Sequence, residues 1–393
     1  MNELAIRPSV GFVPAADPFE GRHLIDGTWQ TSADGETFER VSPSHCVVVS
    51  RSAKGGEAEA EAAINAARKA FDAGVWSRIS GKERATVLLK VADLIEANAD
   101  RMIELEVLES GKPIAQARGE VTGAADLWRY AASLARSVHG DSHDTLGEDM
   151  VAMVLKQPIG VVSIITPWNF PFWILSQKLP FALAAGCTCV VKPSEMTPST
   201  TVMLGELLIE AGLPAGVCNI VLGYGEPVGS VMAAHSAVDM VSFTGSTRVG
   251  KLISKVAANT LKKVALELGG KNAQVIFPDC DLDEAVDATV FGTYFNVGQC
   301  CNGSSRVIVH KDIAEEFVAR VVAESRKVRF GDPMDESTQV GAIVTETHGA
   351  QIHKHVEAAE AAGATVALGG GPLSVDGLDG QFYQPTVLVD VSA

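Results

Sequence analysis

Between residues 160 and 270 the chain alternates short unbroken apolar runs with stretches of helical periodicity: "IGVVSIITP", "FPFWILSQKLPFALAAG", "CTCVVKP", "TPSTTVMLGELLIEAG", "CNIVLG", "PVGSVMAAH", "DMVSFTG", "STRVGKLISKVAA" and "KKVALELGG". A strand whose apolar run is continuous is buried on both faces, and strands separated by helices pair in parallel. This grammar predicts an α/β fold built on a doubly wound parallel sheet. In such sheets ligands bind outside the carboxyl ends of the strands, so the residues that follow each apolar run are the first place to look for chemistry.

The flanks fit around that sheet. Residues 1–139 offer a short strand pair in "HLIDGTWQTS" and then helices, with Ser80 as an N-cap and Gly111 as a stop signal. Residues 140–157, "DSHDTLGEDMVAMVLKQP", are polar and then alternating, which suits a small protruding strand pair. After "LELGGKN" the alternation of strand and helix restarts, so a second α/β domain is expected over 268–393, with 1–139 and 158–267 forming the first.

A formal net charge of −16 repels phosphate backbones and anionic lipid surfaces, which excludes nucleic acid and membrane as natural partners. Seven unevenly spaced cysteines are no disulfide framework, and the N-terminus lacks a basic segment followed by an apolar one; a cytoplasmic protein is expected.

Three strand ends carry candidate ligand groups. In "GYGEPVG", Gly223, Gly225 and Gly229 follow a strand, but three residues separate the last two glycines where the dinucleotide fingerprint needs two. A plain turn explains it equally. In "FTGSTRVG", Gly245 and Ser246 close a strand and open a helix, so they suit either a phosphate at the positive helix end or an ordinary N-cap. In "VVKPSE", Lys192 and Glu195 form either a solvated edge or a grip on a sugar; a carboxylate there accepts from ribose hydroxyls and repels a 2′-phosphate.

The cysteines divide by context. Cys46, Cys187, Cys189, Cys218 and Cys280 have apolar surroundings and read as inert core. No metal is expected, because Cys187 and Cys189 lack a second ligand pair and His353 and His355 point to different faces of a helix. Cys300 and Cys301 lie in "FNVGQCCNGSSR", between a helix and a strand and beside Gly298, Asn302 and Gly303. Adjacent cysteines bond to each other only with strain, so a loop-held nucleophile is the alternative to a disulfide there.

Five motifs in order, "ITPWNFP", "VVKPSE", "FTGSTRVG", "LELGGKN" and "FNVGQCCNGSSR", make the chain resemble the aldehyde dehydrogenase superfamily, of the NAD(P)-dependent hydrolytic kind. In that family the nucleophile stands two residues after the Gln of Gly-Gln-x-Cys with an Arg five further on, which falls on Cys301 and Arg306. The resemblance implies a thiohemiacetal and then a thioester on Cys301. It assigns oxyanion donors to the Asn169 amide and the Cys301 N–H, the general base to Glu267, and a proton relay to Lys178. It implies cofactor contacts from Thr166, Pro167, Trp168, Lys192, Glu195, Gly225, Gly245, Ser246, Leu268 and Gly269, with NAD favoured over NADP.

Phe170, Trp173, Gln177 and Phe295 fall where the family lines its substrate tunnel; Gln177 in place of a frequent Trp favours a roomier or more polar channel, suited to polar or longer aldehydes such as betaine or aminoaldehydes. The resemblance further implies a homodimer or homotetramer using the 140–157 strand pair. It also implies a continuation beyond "PTVLVDVSA" into a Glu-x-Phe-Gly-Pro element that grips the nicotinamide ribose, whereas this sequence stops at Ala393. Two other readings compete. One is a CoA-acylating relative, which Glu267 argues against; the other is a non-catalytic dinucleotide-binding scaffold.

Overall fold

Every residue of Val161–Ile165 and of Thr188–Lys192 is buried, so both faces of the sheet they belong to must be covered. The computed structural model, which describes residues 4–392, shows how. A seven-stranded sheet runs in the order Lys263–Leu268, Met240–Gly245, Val161–Ile165, Thr188–Lys192, Cys218–Ile220, His23–Ile25, Thr28–Gln30. The first five strands are parallel. The last two are an antiparallel hairpin added to the edge, with His23–Ile25 antiparallel to Cys218–Ile220.

Side chains alternate between two cores. Cys189 and Val191 pack with Leu88, Trp128, Phe172 and Leu204 on one face, and Val190 packs with Ile64, Val241 and Ile253 on the other. Leu88, Phe172 and Leu204 are completely buried, and each contributes about 1.5–3 kcal/mol. From Val161–Ile165 the chain steps outward through Thr188–Lys192 and Cys218–Ile220, then returns to the opposite side for Met240–Gly245 and Lys263–Leu268. The strand order therefore reverses between Val161–Ile165 and Met240–Gly245, and a ligand crevice belongs there.

The Ser80 cap is present: its hydroxyl accepts from the Glu83 N–H while the Glu83 carboxylate accepts from the Ser80 N–H. Four local expectations need correction. The single helix read over "FPFWILSQKLPFALAAG" is two, Pro171–Ser176 and Leu179–Ala184, broken at Gln177 and Lys178 because Pro180 brings no N–H to continue the ladder. In "PVGSVMAAH" only Ser230–Ala234 is α-helical, after a wider turn over Gly225–Gly229. Cys46 and Cys280 are exposed rather than core, since both sit in turns outside the strands and helices. The strands Thr37–Val41 and Val48–Ala53, with Phe19–Gly21, form a separate three-stranded sheet that the helical reading of the first third overlooked.

The segment 140–157 does hold a small antiparallel pair, Ser142–His143 with Ala152–Met153. Beyond Gly270, Ala273–Ile276 and Arg306–Val309 pair in parallel under the helices Leu282–Tyr294 and Ala314–Ser325. This region docks back on the helical layer through main-chain bonds. Ala342 N–H donates to Gly111 O, and Ile114 N–H donates to Pro333 O.

Gly111 sits at that junction with φ +78°, and a Cβ there would lie 2.7 Å from Ala342 O and 2.8 Å from a Pro43 ring carbon. Gly111→Ala should therefore lower stability by about 2 kcal/mol or more, from left-handed strain plus the collision. Urea unfolding reads this directly, and an unchanged midpoint would contradict the stated packing.

Candidate active site

The carboxyl edge of the sheet gathers most of the predicted binding residues. Thr166 continues from Val161–Ile165 and its N–H donates to Lys192 O. Its hydroxyl and that of Thr244, on the strand across the crevice, are buried and have no hydrogen-bond partner among the described residues. Several other buried hydroxyls also lack a partner among the described residues, but these two flank the topological switch point, where a polar ligand can reach them.

Lys192 is almost wholly buried, donates to Pro193 O and Gly223 O at 2.8 Å each, and has the Glu195 carboxylate 3.6 Å away. Burial lowers its pKa against the pull of Glu195. Gly225 stands exposed with nothing within 4 Å of where a Cβ would be. The Ser246 hydroxyl accepts from the Val249 N–H at 3.3 Å, so it serves as the N-cap of Thr247–Ala257. Pro167 and Trp168 follow Thr166, and the His348 ring meets Trp168 edge-on, 5.3 Å between centroids. Burial lowers the pKa of His348. Sequence reading missed this histidine, because nothing local links two residues so far apart.

The cysteine loop leaves the helix Leu282–Tyr294 through an unusual turn. Asn296, Val297 and Gly298 all have positive φ, at 52°, 60° and 71°. Cys301 is exposed, whereas Cys300 is half-buried, its thiol donating to Asn302 Oδ1 at 2.9 Å and held above its usual pKa by burial. The Asn169 amide donates to Gln299 O at 2.9 Å, and the Asn296 amide donates to Asn169 O at 2.7 Å. From the other side, Asn272 Nδ2 donates to Cys301 O at 2.9 Å, a contact the "LELGGKN" motif contained but its reading did not single out. Arg306 is exposed and opens the strand Arg306–Val309.

Glu267 lies next to Thr244 in register, exposed near the end of its strand, with Leu268 beside Gly245. Lys178, at the break between the two short helices, donates to Ser242 Oγ at 3.0 Å. Burial lowers the Lys178 pKa against the opposing charge of Glu267. Gly269 O accepts from the Thr247 hydroxyl at 3.4 Å.

Of the predicted tunnel residues, Phe170 and Phe295 stack at 5.9 Å. The six-membered ring of Trp173 covers Gly123, where a Cβ would lie 2.8 Å from it. Gln177 is exposed. A cavity of about 660 Å³ lies in the second region against Thr293, Ser304, Val307 and Val387 and touches none of the predicted residues. A second one of about 530 Å³ is lined by Phe295, Gln116 and Phe291. Chemistry, rather than cavity size, therefore locates the site.

A doubly wound sheet with its crevice open toward a cysteine loop is an arrangement found in a definite class of oxidoreductases. Residues 29–393 match the aldehyde dehydrogenase family, and the chain belongs to it. Aldehyde dehydrogenase family 2 member C4 of Arabidopsis thaliana is 40% identical over 371 residues, covering 94% of this chain and 74% of that protein. The crystal structure of an NAD-dependent aldehyde dehydrogenase from Sinorhizobium meliloti superposes with a TM-score of 0.93 at 47% identity, covering 97% of this chain and 77% of the other. Betaine aldehyde dehydrogenase from Staphylococcus aureus, solved with NAD+, superposes with a TM-score of 0.92 at 39% identity over 94% of this chain and 74% of that one.

The two neighbouring thiols should differ in reactivity. Limited iodoacetamide treatment at neutral pH, followed by peptide mass mapping, should alkylate Cys301 several-fold faster than Cys300, since the thiolate is the reactive form and burial disfavours it at Cys300. Equal rates would remove the distinction between them.

Proposed function

We infer that this protein oxidises an aldehyde to the carboxylic acid with NAD, and that Cys301 is its nucleophile. The observation that carries the reading is the bond from the Asn169 amide to Gln299 O, two residues before the exposed Cys301, which ties the segment after Val161–Ile165, with its side-chain donor, to the loop that bears a free thiol. The Cys301 sulfur attacks the carbonyl carbon and the oxygen becomes an oxyanion. The Asn169 side chain and the Cys301 N–H donate to it, the arrangement that stabilises charge only as it develops.

The crevice suits NAD: the buried, unpartnered hydroxyls of Thr166 and Thr244 need a polar partner. Thr166, Pro167, Trp168, Gly245, Ser246, Leu268 and Gly269 would hold it, with Gly225 alongside and with Lys192 and Glu195 on a ribose. The Glu195 carboxylate favours NAD over NADP by repelling a 2′-phosphate. When bound, NAD supplies the hydride acceptor that turns the Cys301 thiohemiacetal into a thioester. Glu267 then takes the proton of the attacking water, and the acid leaves as Cys301 regains its thiolate. Lys178, half-buried and subject to the Glu267 charge, takes that proton as a neutral amine and releases it to solvent.

Phe170, Trp173 and Phe295 form an aromatic wall for the aldehyde, and Gln177 adds a polar group at its edge. Likeness to betaine aldehyde dehydrogenase supports a polar or longer aldehyde as substrate. Residues 1–139 with 158–267 act as the NAD-binding domain and 268–393 as the catalytic one. The pair in 140–157 exposes Leu146, Val151, Met153 and Leu155, which supports its use as the contact of a homodimer or homotetramer. All seven cysteines are free, in keeping with a cytoplasmic location; no helix among the described residues is long and apolar enough to cross a membrane.

Two variants test the mechanism with acetaldehyde, benzaldehyde and betaine aldehyde, following NADH absorbance. Cys301→Ala should make no NADH with any of them. Glu267→Gln should keep a first burst equal to the enzyme concentration and lose about 10²–10⁴-fold in steady-state turnover. Normal turnover in the first would dismiss Cys301, and normal turnover in the second would dismiss Glu267.

A further inference from the structure

The turn that delivers the nucleophile is held against its own preference. Asn296 (φ 52°, ψ 43°) and Val297 (φ 60°, ψ 27°) are consecutive left-handed residues. A β-branched side chain in that region is an outlier, and such strain persists only where the surroundings over-determine it. Part of what fixes it is already described: the Asn296 side chain donates to Asn169 O and Gln299 O, and Gln299 Oε1 accepts from the Val344 N–H at 3.0 Å. The remaining support comes from a different element.

The Asn296 N–H donates to Gln116 Oε1 at 3.1 Å, and Gln116 lies on the helix Ile114–Ala135. Gln116 Nε2 donates to Glu120 Oε1 at 2.8 Å, one turn further along. Glu120 Oε2 accepts from Lys112 Nζ at 2.5 Å, and Lys112 also donates to Glu106 Oε1 at 3.0 Å. The Lys112 and Glu106 side chains are entirely buried. The Lys112 ammonium also stands 4.9 Å over the ring of Phe170, the residue after Asn169.

The chain of donors has a direction. An amide can present either its oxygen or its nitrogen to a neighbour, and its partners decide which. A carboxylate whose other oxygen is taken up by an ammonium accepts, so the Gln116 nitrogen faces Glu120 and its oxygen is left for the Asn296 N–H. Reversing that amide would set N–H against N–H and release the strained turn.

We propose that Gln116, oriented by Glu120 and Lys112, is a positioning residue that holds the cysteine loop so that the Asn169 amide and the Cys301 N–H converge on one oxyanion. The proposal rests on the reading of Cys301 and Asn169 given above. It predicts that breaking the chain slows carbonyl addition while leaving the thiol itself accessible. A misplacement of this kind costs between about 10-fold and 100-fold in rate.

p-Nitrophenyl acetate is a suitable probe, because it acylates a thiol through a tetrahedral oxyanion and expels p-nitrophenolate without needing NAD. The intact protein is compared with Gln116→Met, which keeps the length and loses both bonds, and with Gln116→Asn, too short to reach both partners. Both variants should show a p-nitrophenolate burst slowed 10-fold or more, again on the order of a loop misplacement, with iodoacetamide alkylation of Cys301 and NAD affinity unchanged. The exchange Gln116→Glu with Glu120→Gln keeps an acceptor opposite Asn296 N–H and should recover most of the burst rate.

A native burst in either single variant, a parallel loss of acylation and alkylation, or no recovery in the exchange would overturn the proposal. Cys301→Ala run alongside separates the two inferences. If it retains the burst, the nucleophile assignment has failed rather than the role of Gln116.

Discussion

A parallel sheet buried on both faces leaves almost nowhere for chemistry to happen. Every side chain of Val161–Ile165 and Thr188–Lys192 is buried, so groups that meet a ligand belong where the strands end. The carboxyl edge meets that constraint with Thr166, Lys192, Thr244 and Glu267, each at or beside the end of a different strand. The parallel register of Met240–Gly245 with Lys263–Leu268 sets Thr244 against Glu267, and the same sheet carries Ser242 to Lys178. The scaffold fixes these groups while the second region supplies what the edge lacks, a thiol.

The helical layer that covers the sheet also bears buried charge. Burial alone would depress the Lys112 ammonium, but Glu120 and Glu106 outweigh it and raise its pKa. Burial pushes Glu106 up to about 8 against the pull of Lys112, and raises Glu109 against its bonds from Ser199 and Ser50 and the charge of Arg40. Ion clusters so deeply desolvated add little net stability, and apolar residues of equal volume would hold the helices together as well. What an apolar replacement lacks is directional donors and acceptors. Arg40 shows the same use: it donates to Glu109 O at 2.9 and 2.6 Å and to Val344 O at 2.7 Å, joining the helical layer to the segment that also binds Gln299.

Local signals announced local structure. Continuous apolar runs predicted the five parallel strands, and Ser80 with Glu83 and Gly111 marked helix ends, because each depends on neighbours a few residues away. The hairpin "HLIDGTWQ" was legible as a hairpin but not as the sheet's edge, since pairing His23–Ile25 with Cys218–Ile220 is decided by a contact almost two hundred residues distant. The split at Gln177 needed Pro180 to be weighed against strong helical periodicity. Within the proposed site, the family resemblance named Cys301, Asn169 and Glu267; it did not name Asn272, Gln116 or His348, whose partners are set by the tertiary fold. Burial of cysteines was misjudged at Cys46 and Cys280 because composition around a residue does not say which way a turn faces.

The choice between the paired thiols follows from backbone anchoring. Cys300 is turned partly inward, bonded to Asn302 and held above its usual pKa by burial, while Cys301 is exposed. The loop is fixed before that point by Asn296, Asn169 and Val344 acting on Gln299 and its carbonyl, and just after it by Asn272 on the carbonyl of Cys301. A residue clamped on both sides by side-chain amides loses little orientational freedom when a substrate arrives, so its sulfur and its N–H start close to the geometry that addition requires. Among the described residues, the carbonyl of Cys300 has no such side-chain clamp and accepts only from the Gly303 N–H within the same turn. Of two chemically identical side chains, the fold thus makes one accessible and anchored at its backbone, and that combination supports Cys301 as the proposed nucleophile.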